Sequence, residues 1–349
     1  MTPRERILAV VCGEEPPDQV PFVQYDGLAA PNEEVWEAIG AGEMGVLRWT
    51  RLHRLEYPHC TTHTQEVWDG QTRGTRTVIE TPRGPLTEVR FYEPTYGSGS
   101  IRKHFVTAPE DYDRLLACFE DGVVVEDLEA FHRTCVALGE QGMPLVAVER
   151  TPYQQMWVQW VGIQDLAWHL ADCPERVDAC MQALARQERA IFDIAVRAPI
   201  DFVDFPDNIT APVIGPANFR RYCLPLYQEL SERMGSRPVF VHMDGDLKPL
   251  YQAIGESGVR GLDSLSPPPD NDTSVGEALC RWPEMRVWVN FPSSVHLQDE
   301  QGIHERAAEI LAQGAATGRL QIQISENVPP GVWRRSFPQI VRAIREATR

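Results

Sequence analysis

Eight short runs of β-branched and aromatic residues constrain this chain more than any other feature: 20–25, 45–49, 145–149, 201–205, 238–242, 259–265, 286–291 and 320–325. Between them lie segments with apolar residues at three- and four-residue spacing, notably 174–197, 216–234, 247–257, 299–313 and 337–347. That is the period of a helix with one buried face. Strands joined through helices run parallel, because each crossover returns the chain to the same end of the sheet. Eight of them predict an α/β fold closed into a (β/α)8 TIM barrel. An open doubly wound sheet would carry a Gly-rich phosphate turn, and the chain has no GxGxxG or P-loop string.

The stretch Thr77-Val-Ile-Glu-Thr-Pro-Arg-Gly-Pro-Leu-Thr-Glu-Val-Arg-Phe-Tyr92 reads as two strands about a Pro-Arg-Gly turn. It predicts a β-hairpin insertion, within roughly 55–125, between early barrel strands, and a short helical extension precedes the first strand. At 349 residues the length suits either one barrel with insertions or about two domains. No Ser/Gly linker or internal period divides the chain, so one domain over 1–349 is expected.

With 33 basic against 50 acidic side chains the net charge is −17, which repels phosphate backbones and anionic lipid and argues against nucleic acid or membrane as partners. No apolar run reaches the length of a membrane span, and the start lacks a signal-peptide core, so a cytoplasmic protein is expected. The eight cysteines form no CxxC pair and read as reduced thiols.

In such a barrel the reactive groups stand at the C-terminal ends of the strands. Those ends carry Tyr25, Glu149-Arg150, Asp204, Asn208, His242 with Asp244, Asp263, Asn290 and Ser325-Glu326. Any one of them could simply cap the next helix. Together, unpaired carboxylates in one cavity would cost several kcal/mol unless protons or a cation neutralise them, so a divalent metal is expected. His242 is the first ligand candidate, because its strand is otherwise apolar and turns at Met-Asp244-Gly-Asp. Asp244 could bind the metal, orient His242 or cap a helix. Tyr25, Arg150, Asn208, Asp263 and Asn290 are the expected substrate contacts.

The opening Thr2-Pro-Arg-Glu-Arg-Ile-Leu-Ala-Val-Val-Cys-Gly-Glu-Glu-Pro-Pro-Asp-Gln-Val-Pro-Phe22 resembles the start of the uroporphyrinogen decarboxylase (URO-D) superfamily. The likeness recurs at Ile214-Gly-Pro-Ala-Asn-Phe-Arg-Arg-Tyr-Cys-Leu-Pro225 and at Val241-His242-Met-Asp244-Gly245 before Asp263, so it spans the chain. This superfamily holds porphyrin-pathway decarboxylases and zinc-dependent, corrinoid-linked methyltransferases, all (β/α)8 barrels. The decarboxylases carry Arg-Gln-Ala-Gly-Arg shortly after the first strand, where this chain reads Pro21-Phe-Val-Gln-Tyr-Asp-Gly-Leu28. An acidic mouth without those arginines leaves a polyanionic tetrapyrrole unmatched. Coenzyme M methyltransferases use His-x-Cys-Gly and a later Cys as zinc ligands. Here His242-Met-Asp244-Gly245 and Ile324-Ser325-Glu326-Asn327-Val328-Pro329 stand instead, and the resemblance implies His242, Asp244 and Glu326 as ligands.

The implied activity is a methyltransferase, resembling the O-demethylases of the group, that moves a methyl group between a small methoxylated or methylated substrate and a corrinoid (cobalamin) carried by a partner protein. A zinc site would stabilise charge on the leaving oxygen, with Glu149 or Asp204 supplying a proton. Two alternatives stand beside it: a metal-free decarboxylase in which Asp204 and His242 stabilise a protonated ring, and a non-catalytic ligand-binding barrel. An oligomer is compatible with each.

Overall fold

The apolar runs become strands, six of the eight buried along their whole length, as expected when one face lines a barrel and the other is covered by helices. The computed structural model describes residues 1–13, 15–95 and 97–348; Glu14 of the opening motif lies outside them. The barrel strands are β1 Phe22–Tyr25, β2 Gly45–Thr50, β3 Gly142–Val146, β4 Val203–Phe205, β5 Val239–His242, β6 Gly261–Leu265, β7 Arg286–Asn290 and β8 Leu320–Ile324. They form one eight-stranded sheet in the order β4 to β8 and then β1 to β3, with every pair parallel. The ring closes between β3 and β4 through a parallel bridge from Ala147 to Asp204 and a 3.0 Å hydrogen bond from Val148 N to Asp204 O. The expected (β/α)8 barrel is therefore present.

Beneath the strands, the helix Pro3–Cys12 turns Ile7, Val10 and Val11 into the same core as Val23, Leu47, Leu145, Phe240 and Trp288. A capping box between Thr2 and Glu5 starts this helix, and Arg286 Nη2 donates to the Cys12 carbonyl at 3.0 Å. In the core, Trp288 lies 4.2 Å from the Phe240 ring and 5.4 Å from Phe202, centroid to centroid. Truncating a ring so placed costs about 3–5 kcal/mol.

Several boundaries differ from the sequence reading, and two show why. β3 starts at Gly142 rather than 145, because its ladder with β2 begins at the pair Val46 and Gly142. The last helix is Trp333–Ala347, four residues longer at its start than expected. Pro338 looks like a first-turn residue, yet the buried stripe already begins at Trp333 and continues through Phe337, Ile340 and Ile344.

The chain divides into two compact units. The first, Met1–Leu52, Asp127–Glu149 and Ala195–Arg349, contains the barrel. The second, His53–Glu126 and Arg150–Ile194, is built on a four-stranded antiparallel sheet, Thr61–Asp69, Thr72–Thr81, Gly84–Tyr92 and Gly99–Lys103. Its two middle strands are the hairpin expected about Pro82-Arg83, so the insertion is larger than one hairpin. Within this unit Tyr112 and His169 bond at 3.1 Å, and Gln187 Nε2 donates to the Phe119 carbonyl at 2.6 Å. Among the described residues no helix is long and apolar enough to cross a membrane.

Candidate metal centre

Strand β5 ends in His242, which the apolar residues Val239, Phe240 and Val241 carry to the barrel mouth and bury to 6% exposure. Its two ring nitrogens face different surroundings. Nδ1 lies 3.1 Å from Asp263 Oδ2 and 3.3 Å from the Tyr25 hydroxyl. Nε2 faces Asp244 Oδ2 at 3.7 Å and Glu326 Oε1 at 4.0 Å. One donor atom each from His242, Asp244 and Glu326 lies within 4.8 Å of the other two.

The neighbouring loops hold this arrangement. Asp244 stands two residues past the strand end, and Asn208 Nδ2 donates to its Oδ2 at 2.8 Å. Asn208 sits in the left-handed region at φ 56°, which asparagine tolerates better than most residues. Gly245 follows because a Cβ there would lie 2.1 Å from Thr210 Cβ. The Pro-rich loop after β6 clamps the same turn: Asn271 Nδ2 donates to the Asp244 carbonyl at 2.6 Å. Asp272 accepts from Leu247 N at 2.9 Å. Glu326 follows Ser325, whose N–H and hydroxyl both donate to Asn290 Oδ1 at 3.2 Å.

The basic side chain facing these carboxylates is His242 itself. Among the described residues neither Asp244, Asp263 nor Glu326 has a lysine or arginine as ion-pair partner. Burial disfavours a charged imidazole, yet the hydrogen bonds and charges of Asp244 and Asp263 outweigh it and hold the His242 pKa well above its ordinary value. Burial also opposes ionisation of Asp244, but bonds to His242 and Asn208 lower its pKa. At Glu326 burial wins: with Asp244 and Asp263 adding like charge, its pKa rises despite the pull of His242. Three carboxylates around one imidazole are over-supplied with negative charge, and a divalent cation among one nitrogen and two carboxylate donors would balance them. The donor set fits zinc and is harder than a thiolate site.

The other expected site residues are placed as follows. Tyr25 and Asp263 stand behind the imidazole: Tyr25 donates to Asp263 Oδ2 at 2.5 Å, and Asp263 is fully buried. Burial, then the charges of Asp263 and Asp204, push the Tyr25 pKa well above its usual value. Asp204, also fully buried, sits on β4 where the barrel closes. Glu149 pairs with Arg51 at 3.2 Å. Asn290 anchors Ser325 from a position 2% exposed, and Arg150 belongs to the second unit, its carbonyl accepting from Gln155 at 2.7 Å. Gln323, absent from the expected set, donates to Asp263 Oδ1 at 2.6 Å. The signal was in the strand itself, where two glutamines alternate with Leu320, Ile322 and Ile324.

A methyltransferase from Methanosarcina mazei shares the fold, with a TM-score of 0.59 at 14% identity over 99% of both chains. A B12-independent methionine synthase from Shewanella sp. W3-18-1 is 12% identical, with a TM-score of 0.40 over 78% of this chain and 73% of its own. No curated protein matches the sequence. The uroporphyrinogen decarboxylase (URO-D) family profile matches residues 88–346, most of the chain and six of the eight barrel strands, and the protein belongs to that family.

Proposed function

We propose that this protein is a metal-assisted methyltransferase that moves a methyl group between a small methoxylated or methylated compound and a corrinoid carried by a partner protein. The observation that carries the reading is the convergence of His242, Asp244 and Glu326 within 4.8 Å, with no lysine or arginine paired to the two carboxylates among the described residues. The fold shared with a methyltransferase over 99% of both chains supports it.

His242, Asp244 and Glu326 would hold the metal, with zinc the ion their donors suit. When bound, it would supply a fixed positive centre that stabilises negative charge developing on a substrate heteroatom. The protein's own groups do the rest. His242 is held from behind, while Glu326, its side chain 41% exposed, keeps the ligand set open to a substrate. Asp204 and Glu149 are the carboxylates proposed for proton delivery.

Metal content of protein purified without chelator or affinity-tag metal tests the reading. About one zinc per chain is expected, lost in both His242→Ala and Glu326→Ala, together with methyl transfer between methoxylated donors and reduced cobalamin. A folded wild type that neither retains nor takes up metal would overturn the metal centre and move the function to metal-free decarboxylation.

A further inference from the structure

Strand β8 carries two carboxamides where a structural barrel interior would carry apolar side chains. Gln321 and Gln323 are both fully buried. Gln321 Nε2 donates to Gln323 Oε1 at 3.1 Å, and Gln323 Nε2 donates to Asp263 Oδ1 at 2.6 Å. Asp263 then meets His242 Nδ1 through its other oxygen at 3.1 Å. Every donor in this chain points toward the carboxylate. The arrangement also leaves Gln321 Oε1 buried with no hydrogen-bond partner among the described residues. Turning that amide over would set two carbonyl oxygens against each other, so the Gln321 N–H holds Gln323 in place while its own oxygen goes unpaired.

We infer that Gln323 is a positioning residue for the metal ligand His242, acting through Asp263 and itself oriented by Gln321. The inference rests on the metal centre proposed above. Gln323 and Tyr25 both donate to Asp263, leaving the carboxylate as a pure acceptor. Its remaining partner, His242 Nδ1, must therefore be the protonated nitrogen. That fixes the ring plane and makes Nε2, which faces Asp244 and Glu326, the nitrogen that would give up its proton to a metal. Outer partners of a metal-binding histidine commonly govern affinity 10–100-fold.

The test is zinc affinity of the full chain by chelator competition, with the absorption spectrum of the cobalt(II)-loaded protein as a second readout. Gln323→Met removes the donor at similar volume, and Gln323→Asn keeps a polar side chain too short to reach Asp263, so one serves if the other does not fold. Each is expected to weaken zinc about tenfold or more and to alter the cobalt spectrum. In an Asp263→Ala background, adding Gln323→Met should change affinity by less than about twofold, because the path through Asp263 is already cut. Wild-type affinity in both single variants would overturn the inference, as would a loss repeated in full in the Asp263→Ala background, which marks an independent structural effect. A wild type that binds no metal overturns the metal centre and this inference with it. A wild type that binds metal while the Gln323 variants bind equally well overturns the inference alone.

Discussion

Asn208 shows how one residue can serve both backbone and site. It occupies a left-handed conformation and donates to Asp244 at 2.8 Å, so Asn208→Ala loses both roles. The substitution is expected to destabilise the protein by about 1–3 kcal/mol and to weaken metal retention roughly tenfold, since a hydrogen bond to a charged group contributes about 1.5–3 kcal/mol. Asn208→Gly should recover stability without recovering affinity. Denaturation midpoints and chelator competition on the two variants separate the roles; equal affinity in wild type and Asn208→Gly would show that Asp244 needs no such support. The expectation of Asn208 as a substrate contact came from its place at a strand end. That its side chain is turned onto Asp244 depends on a residue 36 positions away, which no local pattern encodes.

At the scale of elements, the barrel strands were legible because strands buried on both faces read as short continuous apolar runs. Their ends were less so. β3 begins at Gly142 because pairing with β2 demands it: a Cβ there would lie 2.0 Å from the Val46 carbonyl oxygen. Gly142→Ala should therefore open the first rung of the β2–β3 ladder and cost about 3 kcal/mol, measurable as a shift in the urea midpoint. An unchanged midpoint would mean that the strands separate there at no cost. The antiparallel sheet of the second unit was only half legible. Its strand Thr61–Asp69 is exposed at all but one position, so no alternation of apolar and polar residues marked it, whereas the strands around Pro82-Arg83 contain buried Ile79 and Leu86.

For the whole molecule, acid stability should depend on His296, which is 1% exposed beside Phe291 and Phe337. Burial, only slightly offset by Asp270, lowers its pKa to about 4. As pH falls below 6.5 the unfolded chain takes up a proton that the folded chain refuses until about pH 4. Stability is therefore full above this window, declines as pH falls through it and levels below it. Between pH 7 and pH 5 the loss is about 2 kcal/mol. Urea denaturation of wild type and His296→Gln at both values should show this component only in wild type; parallel slopes would remove His296 as the cause.

By itself the sequence determined the alternation of strand and helix, and with it the barrel and the strand ends from which His242, Asp244 and Glu326 converge, because local periodicity controls where strands end. Only the tertiary structure decided which of those residues face one another. Tyr25 meets Asp263 across 238 positions and Gln323 meets it across 60, contacts that exist only once β8 lies between β1 and β7 in the closed ring. Closure also divided the carboxylates, leaving Asp244 and Glu326 on the open side of His242 and Asp263 behind it. The physical reason is that a strand end specifies where a side chain starts, while its direction and partners follow from the neighbours that the closed barrel brings against it.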